Sequence, residues 1–118
     1  MLQVTWTDVD DFIDKVTIHY ATKNLTGVYG IPRGGLVLAV MASHSLGIPL
    51  LQAPMKGCLV IDDISDTGIT LKHYRDKGYQ IATMFSTENT QVKPDLTMFT
   101  KDDEWIVFPW ERVEDEGL

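Results

Sequence analysis

The feature that most constrains the fold is a short apolar run, Cys58–Ile61, that ends directly in two neighbouring carboxylates, Asp62 and Asp63. A run of this length and composition predicts a strand buried on both faces, as in a parallel sheet. A third carboxylate, Asp66, and the segment Thr67–Thr70 follow before a helical pattern begins. We therefore expect these polar groups at the carboxyl end of a strand, which is where open α/β sheets bind their ligands.

Strand and helix patterns alternate along the 118 residues. Further apolar strands are expected over residues 27–31, 48–51 and 79–85, with late strands over 96–99 and 105–108. Helical patterns cover residues 7–20, 36–46 and 69–77, and Gly47 is expected to end the second of them. This order predicts one α/β domain over residues 1–118, with a Rossmann-like, mostly parallel sheet flanked by helices.

Composition excludes several classes of protein. The formal net charge of −7 argues against a general nucleic-acid surface, because such surfaces need many Lys and Arg side chains. The single cysteine, Cys58, allows no internal disulfide and is expected in the core. No apolar run approaches the ~18 residues of a membrane span, and no signal peptide is evident, so the cytoplasm is the expected location. The acidic segment 111–118 is expected to fray.

The carboxylates of Asp62 and Asp63 suit a ligand that carries a vicinal diol, and they also suit Mg²⁺ held through water. Adjacent residues of a strand point to opposite faces, so one of the two should face the ligand and the other should have a main-chain or metal role. A solvated acidic turn without a ligand is the alternative interpretation of this pair.

The segment that follows predicts an anion site. Backbone N–H groups at a helix start point towards anions, and the Thr67 and Thr70 hydroxyls add donors. Gly68 permits a close backbone approach or a positive φ. Simple helix capping by the threonines is the alternative. Asp66 is an unusual residue in a phosphate cradle, so we expect its carboxylate to point towards another part of the ligand, where it can accept a proton.

Three segments together resemble a known family. Leu59–Leu71 resembles the phosphoribosyl-pyrophosphate (PRPP) signature of the type I phosphoribosyltransferases, which has two acids and then Asp-Thr-Gly-x-Thr. Gly30–Leu36 resembles the pyrophosphate loop of that family. Asp103–Glu111 resembles the late segment of bacterial xanthine-guanine and related purine phosphoribosyltransferases, and Val4–Trp6 resembles their start. The resemblance implies a minimal form of the type I phosphoribosyltransferase fold.

The resemblance also implies roles for individual residues. Asp62 and Asp63 would hold the ribose hydroxyls, with Mg²⁺ as the cofactor nearby, and Asp66 would lie beside purine N7 as a candidate general base or acid. The 5′-phosphate would be bound by Ser65, Thr67, Gly68, Ile69 and Thr70, the pyrophosphate by Arg33 and Gly34, and the base by stacking on Trp105 and by the main chain of Ile106. A turn with a surface charge at Arg33 and core packing of Trp105 are the alternatives.

Two departures from the family pattern leave the activity open. The interval Leu51–Gly57 is too short for the usual mobile loop over the reacting centre, and Lys56 is its sole basic residue. Thr87 stands near the place where purine enzymes carry a lysine, and Lys93 comes later. The resemblance itself implies transfer of a phosphoribosyl group from PRPP to a purine, with a 6-oxopurine as the base.

Three other hypotheses remain. A PRPP- or nucleotide-binding module without turnover would explain the missing loop, and a homodimer in which the partner chain supplies that loop would restore it. An unrelated Mg²⁺-binding acidic turn is the third. No nucleic acid or membrane partner is expected.

Overall fold

The computed structural model describes residues 1–112. The expected frayed tail falls mainly on residues 113–118, which lie outside the described residues. No helix in the described part of the chain has the length and apolar character needed to cross a membrane. The elements in chain order are β1 (Leu2–Gln3), α1 (Trp6–Tyr20), β2 (Val28–Gly30), α2 (Gly34–Leu46), β3 (Leu50–Leu51), β4 (Leu59–Ser65), α3 (Ile69–Asp76), β5 (Gln80–Thr87), β6 (Leu96–Lys101) and β7 (Ile106–Val107).

Five of the strands form a parallel sheet in the order β3-β2-β4-β5-β6. The expected α/β class, a mostly parallel sheet flanked by helices, is confirmed. The two short strands β1 and β7 pair with each other in a separate parallel ribbon. Because the main strands all run the same way, the residues that follow β2, β4, β5 and β6 gather at one edge of the sheet.

The central strand β4 is longer than the apolar run predicts. Asp62, Ile64 and Ser65 pair with β5 opposite Thr83, Phe85 and Ser86. The polar residues therefore extend the ladder instead of starting a loop, because β5 continues beside them and supplies main-chain partners. The acids consequently lie on a rigid strand.

The core has two parts, one on each face of the sheet. Helices α1 and α2 cover one face, where the buried side chains include Phe12, Leu38 and Ile61. Helix α3 covers the other face, where Leu71 packs with Cys58 and other buried residues. The thiol of Cys58 is fully buried, as expected from its place in the apolar run. Both helical layers thus hold β4 between them.

The connection between β3 and β4 begins at the carboxyl end of β3 and returns to the amino ends of the strands, because β3 and β4 both run parallel to β2. The main-chain amide of Thr26, just before β2, donates to the Gly57 carbonyl at 3.0 Å, and the Thr26 hydroxyl donates to the Lys56 carbonyl at 2.9 Å. Lys56 and Gly57 therefore lie at the opposite edge of the sheet from the acids of β4. No helix or strand forms over residues 52–58, and the expectation that this interval is too short for the usual mobile loop stays a prediction.

Helix α2 begins unusually close to the sheet. A Cβ added to Gly35 would overlap the Ile61 carbonyl oxygen of β4, and a Cβ added to Gly30 would lie 2.6 Å from the Gly35 carbonyl oxygen. These atoms belong to the main chain, so they cannot move aside as a flexible side chain can. Two glycines therefore bring the first turn of α2 against β2 and β4.

Gly35→Ala is expected to lower the free energy of unfolding by about 1–3 kcal/mol, because the added methyl group overpacks a main-chain contact. Urea denaturation measures the change. Val40→Ala on the exposed side of the same helix is the matched control and should stay within about 0.5 kcal/mol of the parent chain. Equal stability of Gly35→Ala and the control would show that the close approach is not required.

Candidate functional site

The predicted site residues lie around three cavities near the carboxyl end of β4. The cradle cavity, about 100 Å³, is bounded by residues 64–68 together with Asp62, Thr70 and Leu71. The outer cavity, about 910 Å³, adjoins the cradle at Asp66 and Thr67 and extends to Thr87 and Lys101. The tryptophan cavity, about 600 Å³, is lined by Arg33, Gly34, Leu36, Val37, Asp63, Trp105, Trp110 and Glu111.

The two neighbouring carboxylates face different cavities. Asp62 lines the cradle cavity, and Asp63 lines the tryptophan cavity. The alternation expected from a strand is thus present. Each carboxylate accepts a hydrogen bond from the next main-chain amide, Asp62 from the Asp63 N–H at 2.9 Å and Asp63 from the Ile64 N–H at 2.8 Å. These bonds fix the orientation of both side chains and leave other carboxylate oxygen positions available.

The surroundings of Asp62 disfavour its negative charge. Burial raises the pKa of the Asp62 carboxyl to about 8, and the nearby charge of Asp63 adds to the rise. The same carboxylate helps to raise the pKa of the Tyr74 hydroxyl, for which burial and a hydrogen bond to Tyr29 are the larger causes. A positive charge next to Asp62 and Asp63 would therefore stabilise their ionised forms.

This donor set fits a magnesium ion that shares its coordination with a ligand. No group of three or more metal-ligating side chains occurs among residues 1–112, so Asp62 and Asp63 alone would not form a complete protein cage. Mg²⁺ usually keeps several waters and binds through one or two carboxylates together with substrate phosphates. Two adjoining carboxylates with one raised pKa match that pattern, because a cation would offset their repulsion.

The strand-to-helix turn after β4 has the form of an anion cradle. Gly68 adopts a left-handed conformation with φ 85°, and α3 begins at Ile69 without a side-chain cap from Gly68. The Thr67 hydroxyl accepts a hydrogen bond from the Ile69 amide at 3.3 Å. Thr70 is exposed and lines the cradle cavity. The first turn of α3 therefore presents main-chain amides towards an open space, as helix starts that bind phosphate do.

Ser65 lies in the same segment, but its side chain points inwards. The hydroxyl donates to the Val92 carbonyl at 2.9 Å and lies 2.7 Å from the Thr90 hydroxyl. With 1% of its surface exposed, the Ser65 side chain cannot contact a ligand in the cradle cavity. Only its main chain remains available for the expected phosphate role.

Residues 87–92 support the cradle from behind, although no pattern in the sequence indicates this role. The Thr87 hydroxyl donates to the Asp66 carbonyl at 2.6 Å, and the Gln91 amide donates to the Thr67 carbonyl at 2.9 Å. A Cβ on Gly68 would lie 2.6 Å from the Thr90 hydroxyl. The residues of this segment are mostly polar and show no periodicity that would indicate such contacts. Long-range pairing with the cradle follows from the tertiary arrangement alone.

The loop before α2 meets the acids from the other side. The Pro32–Arg33 peptide bond is cis. A Cβ on Gly34 would overlap the Asp63 carboxylate, so the loop lies directly against that acid. Arg33 lines the tryptophan cavity next to Asp63. The geometry brings Arg33, Gly34 and Asp63 together, as the resemblance implies.

Trp105 and Ile106 differ in how far they are available to a ligand. The Trp105 side chain is 57% exposed, so the alternative of core packing is wrong for it. It shares the tryptophan cavity with Arg33, whereas Asp66 lines the other two cavities. The Ile106 side chain is buried, and β1 bonds to the main chain of Trp105 and Val107 instead. In a parallel ladder, a strand bonds to the residues on either side of the one opposite it. The N–H and C=O groups of Ile106 therefore point away from β1.

Asp66 is exposed and joins the cradle cavity to the outer cavity. Because Asp66 borders both cavities, the expectation that its carboxylate points away from the phosphate donors stays a prediction. Lys93 does not line either cavity. Lys101, which the sequence interpretation did not single out, does line the outer cavity.

A parallel α/β sheet with acids and a helix start at its carboxyl edge defines the class of this domain. Comparisons with known proteins then identify the family. No family model matches the chain. A crystal structure of a purine phosphoribosyltransferase from Pyrococcus horikoshii is 32% identical in sequence, with a TM-score of 0.81 and coverage of 94% of both chains. The Helicobacter pylori xanthine-guanine-hypoxanthine phosphoribosyltransferase has a TM-score of 0.73 at 20% identity, over 98% of this chain and 96% of that chain.

A curated relative, the xanthine-guanine phosphoribosyltransferase of Idiomarina loihiensis, is 25% identical over 85% of this chain and 86% of that protein. The alignment is 138 residues long, whereas this chain has 118 residues. Within the aligned stretch, the relative therefore contains segments that this chain lacks. The chain belongs to the type I phosphoribosyltransferase family.

Stability should fall as pH rises from about 4 to about 8. The folded chain keeps the Asp62 proton up to about pH 8, whereas the unfolded chain releases it near the ordinary value of 3.8. Between those values the unfolded state binds fewer protons, so the free energy of unfolding decreases with pH. Urea denaturation in EDTA at pH 5 and pH 8 measures the slope, which Asp62→Asn should reduce.

Asp10→Asn provides the control, because Asp10 is an exposed acid on α1. It should retain the slope of the parent chain. A slope that survives intact in Asp62→Asn would show that another group causes it.

Proposed function

We propose that this protein transfers the 5-phosphoribosyl group of PRPP to a purine, releasing pyrophosphate, and that the base is a 6-oxopurine. The observation that carries the proposal is the arrangement at the end of β4, where Asp62, Asp63 and Asp66 adjoin the start of α3. The relatives named purine and xanthine-guanine phosphoribosyltransferases support the reaction class.

Each part of PRPP has a matching group. The amides at the start of α3 and the Thr67 and Thr70 hydroxyls bind the 5′-phosphate. The carboxylates of Asp62 and Asp63 accept hydrogen bonds from the ribose hydroxyls. The Arg33 guanidinium, which borders Asp63 in the tryptophan cavity, offers a fork of donors to the pyrophosphate. These contacts hold the ribose between the start of α3 and the loop that carries Arg33.

The reaction breaks the bond between ribose C1 and the pyrophosphate oxygen, and the leaving group takes the electron pair. A base nitrogen then bonds to C1, and Asp66 accepts the proton that the base gives up. Positive charge develops on the sugar, and the neighbouring carboxylates stabilise it. When bound at Asp62 and Asp63, Mg²⁺ would neutralise charge on the departing pyrophosphate. Trp105 stacks on the base, and the Ile106 peptide groups bond its edge.

The test is an assay of nucleotide formation from PRPP, MgCl₂ and radiolabelled hypoxanthine, guanine, xanthine or adenine. We expect nucleoside monophosphate from the three oxopurines. Asp66→Asn should lower the rate about 10²- to 10⁴-fold, because it removes a proton acceptor, and should leave PRPP affinity within about twofold.

Asp10→Asn is the control for the assay, since it also removes one exposed acid. Failure to form nucleotide from any of the four bases would overturn the transfer activity. Equal losses of rate and PRPP affinity in Asp66→Asn would contradict the role of Asp66.

A second candidate is a module that binds PRPP or a nucleotide without turnover. The short connection over residues 52–58 favours it, because Lys56 and Gly57 are already bonded to Thr26 at the amino ends of the strands and the few residues before them leave little chain to cover the site. Calorimetry with PRPP and with nucleoside monophosphates distinguishes the two functions. Binding without product formation supports the module, and absence of binding excludes both.

We further propose that two copies of the chain associate and that the partner covers the open site. Solution mass measured by light scattering across a hundredfold range of concentration should correspond to a dimer of the 13.3 kDa chain. A monomer at every concentration would remove the partner as the source of a cover.

A further inference from the structure

A fourth cavity lies at the amino ends of the strands, at the opposite edge of the sheet from the acids of β4. We call it the amino-edge cavity, and its volume is about 290 Å³. Strand β4 has seven residues, so this cavity lies roughly 20 Å from the cradle cavity. The end of α1, the turn after it and the chain around the starts of β4 and β5 form its walls, which include His19, Lys23, Asn24, Gly57, Gly78 and Gln80.

The amino-edge cavity differs in charge from the three cavities at the other edge. Those three have carboxylates in their linings, among them Asp62 in the cradle cavity, Asp63 in the tryptophan cavity and Asp66 in the outer cavity. The amino-edge cavity is lined by no carboxylate and contains the basic side chains of Lys23 and His19. In a chain with a formal net charge of −7, this lining is the place where an anion meets the least repulsion.

The basic and amide side chains of the amino-edge cavity are uncommitted within the described part of the chain. The Lys23 ammonium and the Asn24 side-chain amide have no hydrogen-bond or ion-pair partner among residues 1–112. The His19 imidazole makes an edge contact with the ring of Tyr20 and no hydrogen bond to those residues. Lysine carries three donors and the asparagine amide two, so these groups can serve a ligand.

Gln80 adds a further donor group, and its orientation is fixed. Burial, with a smaller contribution from the charge of Asp95, raises the pKa of the Tyr20 hydroxyl, which therefore stays protonated. This hydroxyl donates to Gln80 Oε1 at 3.3 Å. The bond occupies the oxygen of the carboxamide and leaves both donors of its NH2 group available.

The acid that acts on Tyr20 does not compete for these donors. Asp95 pairs with Arg75 at 3.1 Å and also accepts a hydrogen bond from the Ile81 amide at 2.8 Å. Its carboxylate is thus held by a guanidinium and a main-chain amide. The ammonium of Lys23 therefore faces the cavity without a counter-charge from this acid.

The walls of the amino-edge cavity are in place before any ligand binds. The Thr26 amide donates to the Gly57 carbonyl at 3.0 Å and so joins the turn after α1 to the chain before β4. The Gly78 amide donates to the Arg75 carbonyl at 2.9 Å and fixes the turn before β5. Asn24 has a left-handed conformation with φ 54°, which asparagine tolerates better than most residues. A preformed set of donors lowers the cost of binding.

We propose that the amino-edge cavity binds the phosphate group of a small molecule, as a second ligand site separate from the one at the end of β4. Its side chains supply several donors from different directions, and a phosphate has enough acceptor oxygens to use them together. The volume of about 290 Å³ lies at the small end of the range for ligand pockets, which fits a small phosphorylated molecule. The inference stands whether or not the chain transfers a phosphoribosyl group.

The test is an NMR titration of the isotope-labelled chain with inorganic phosphate at constant ionic strength. We expect the amides of Gly57 and Gly78 and the side-chain amide of Gln80 to shift with a Kd of about 1 mM or tighter. Lys23→Met should weaken this binding about 10- to 100-fold, because charged hydrogen bonds are lost, whereas Lys23→Arg should keep it within about threefold. The amides of Gly68 and Ile69 report separately on the cradle, and their response should be the same in the parent chain and in Lys23→Met.

Lys93→Met is the control for the loss of one positive charge, because Lys93 is exposed and lines none of the four cavities. It should bind phosphate as the parent chain does. Equal weakening in Lys93→Met and Lys23→Met would show a general effect of charge and overturn the inference.

Two further results would also overturn it. The first is an absence of shifts at Gly57 and Gly78 up to about 10 mM phosphate, including the case in which only the cradle amides respond. The second is an equal response to succinate, because that result would show an unselective attraction for anions. Shifts at the amino edge that are larger with phosphate than with succinate, and that Lys23→Met removes, would support the second site.

Discussion

The close approach of the first turn of α2 to strand β4 is the constraint on which the rest of the site depends. Gly35 lies against the Ile61 carbonyl, and Gly34 lies against the Asp63 carboxylate. No residue with a Cβ fits at either position without a shift of main chain or of the acid. The loop that carries Arg33 is thereby held next to the strand that carries Asp62 and Asp63, although the two segments are about thirty residues apart in the chain.

The second support comes from residues 87–92, which hold the turn after β4 in place. Main-chain carbonyls of Asp66 and Thr67 accept hydrogen bonds from this segment, and the Ser65 hydroxyl is buried against it. The acids on β4 and the amides of α3 therefore have fixed relative positions before any ligand binds. Such preorganisation lowers the cost of ordering the site during binding.

The sequence predicted the parts of this structure that depend on local pattern. The apolar run at Cys58–Ile61, the helix that starts at Ile69 and the end of α2 at Gly47 all follow from periodicity and glycine chemistry. The extension of β4 through Ser65 could not be predicted, because it depends on partners that β5 supplies.

The same holds within the site. The proximity of Arg33, Gly34 and Asp63 was implied by the resemblance and is present, whereas Trp105 and Asp66 line different cavities. The place of Lys101 was missed because it depends on the register between β5 and β6, which no single strand encodes.

The ribbon of β1 and β7 links the amino end of the chain to the aromatic segment. The Leu2 amide donates to the Trp105 carbonyl at 2.8 Å, and the Val4 amide donates to the Val107 carbonyl at 2.9 Å. These two bonds anchor β7 and Trp105, which directly precedes it and has an exposed indole. Proteolytic trimming of the first four residues would release that anchor, so the integrity of the amino end and the shape of the cleft beside Arg33 are coupled.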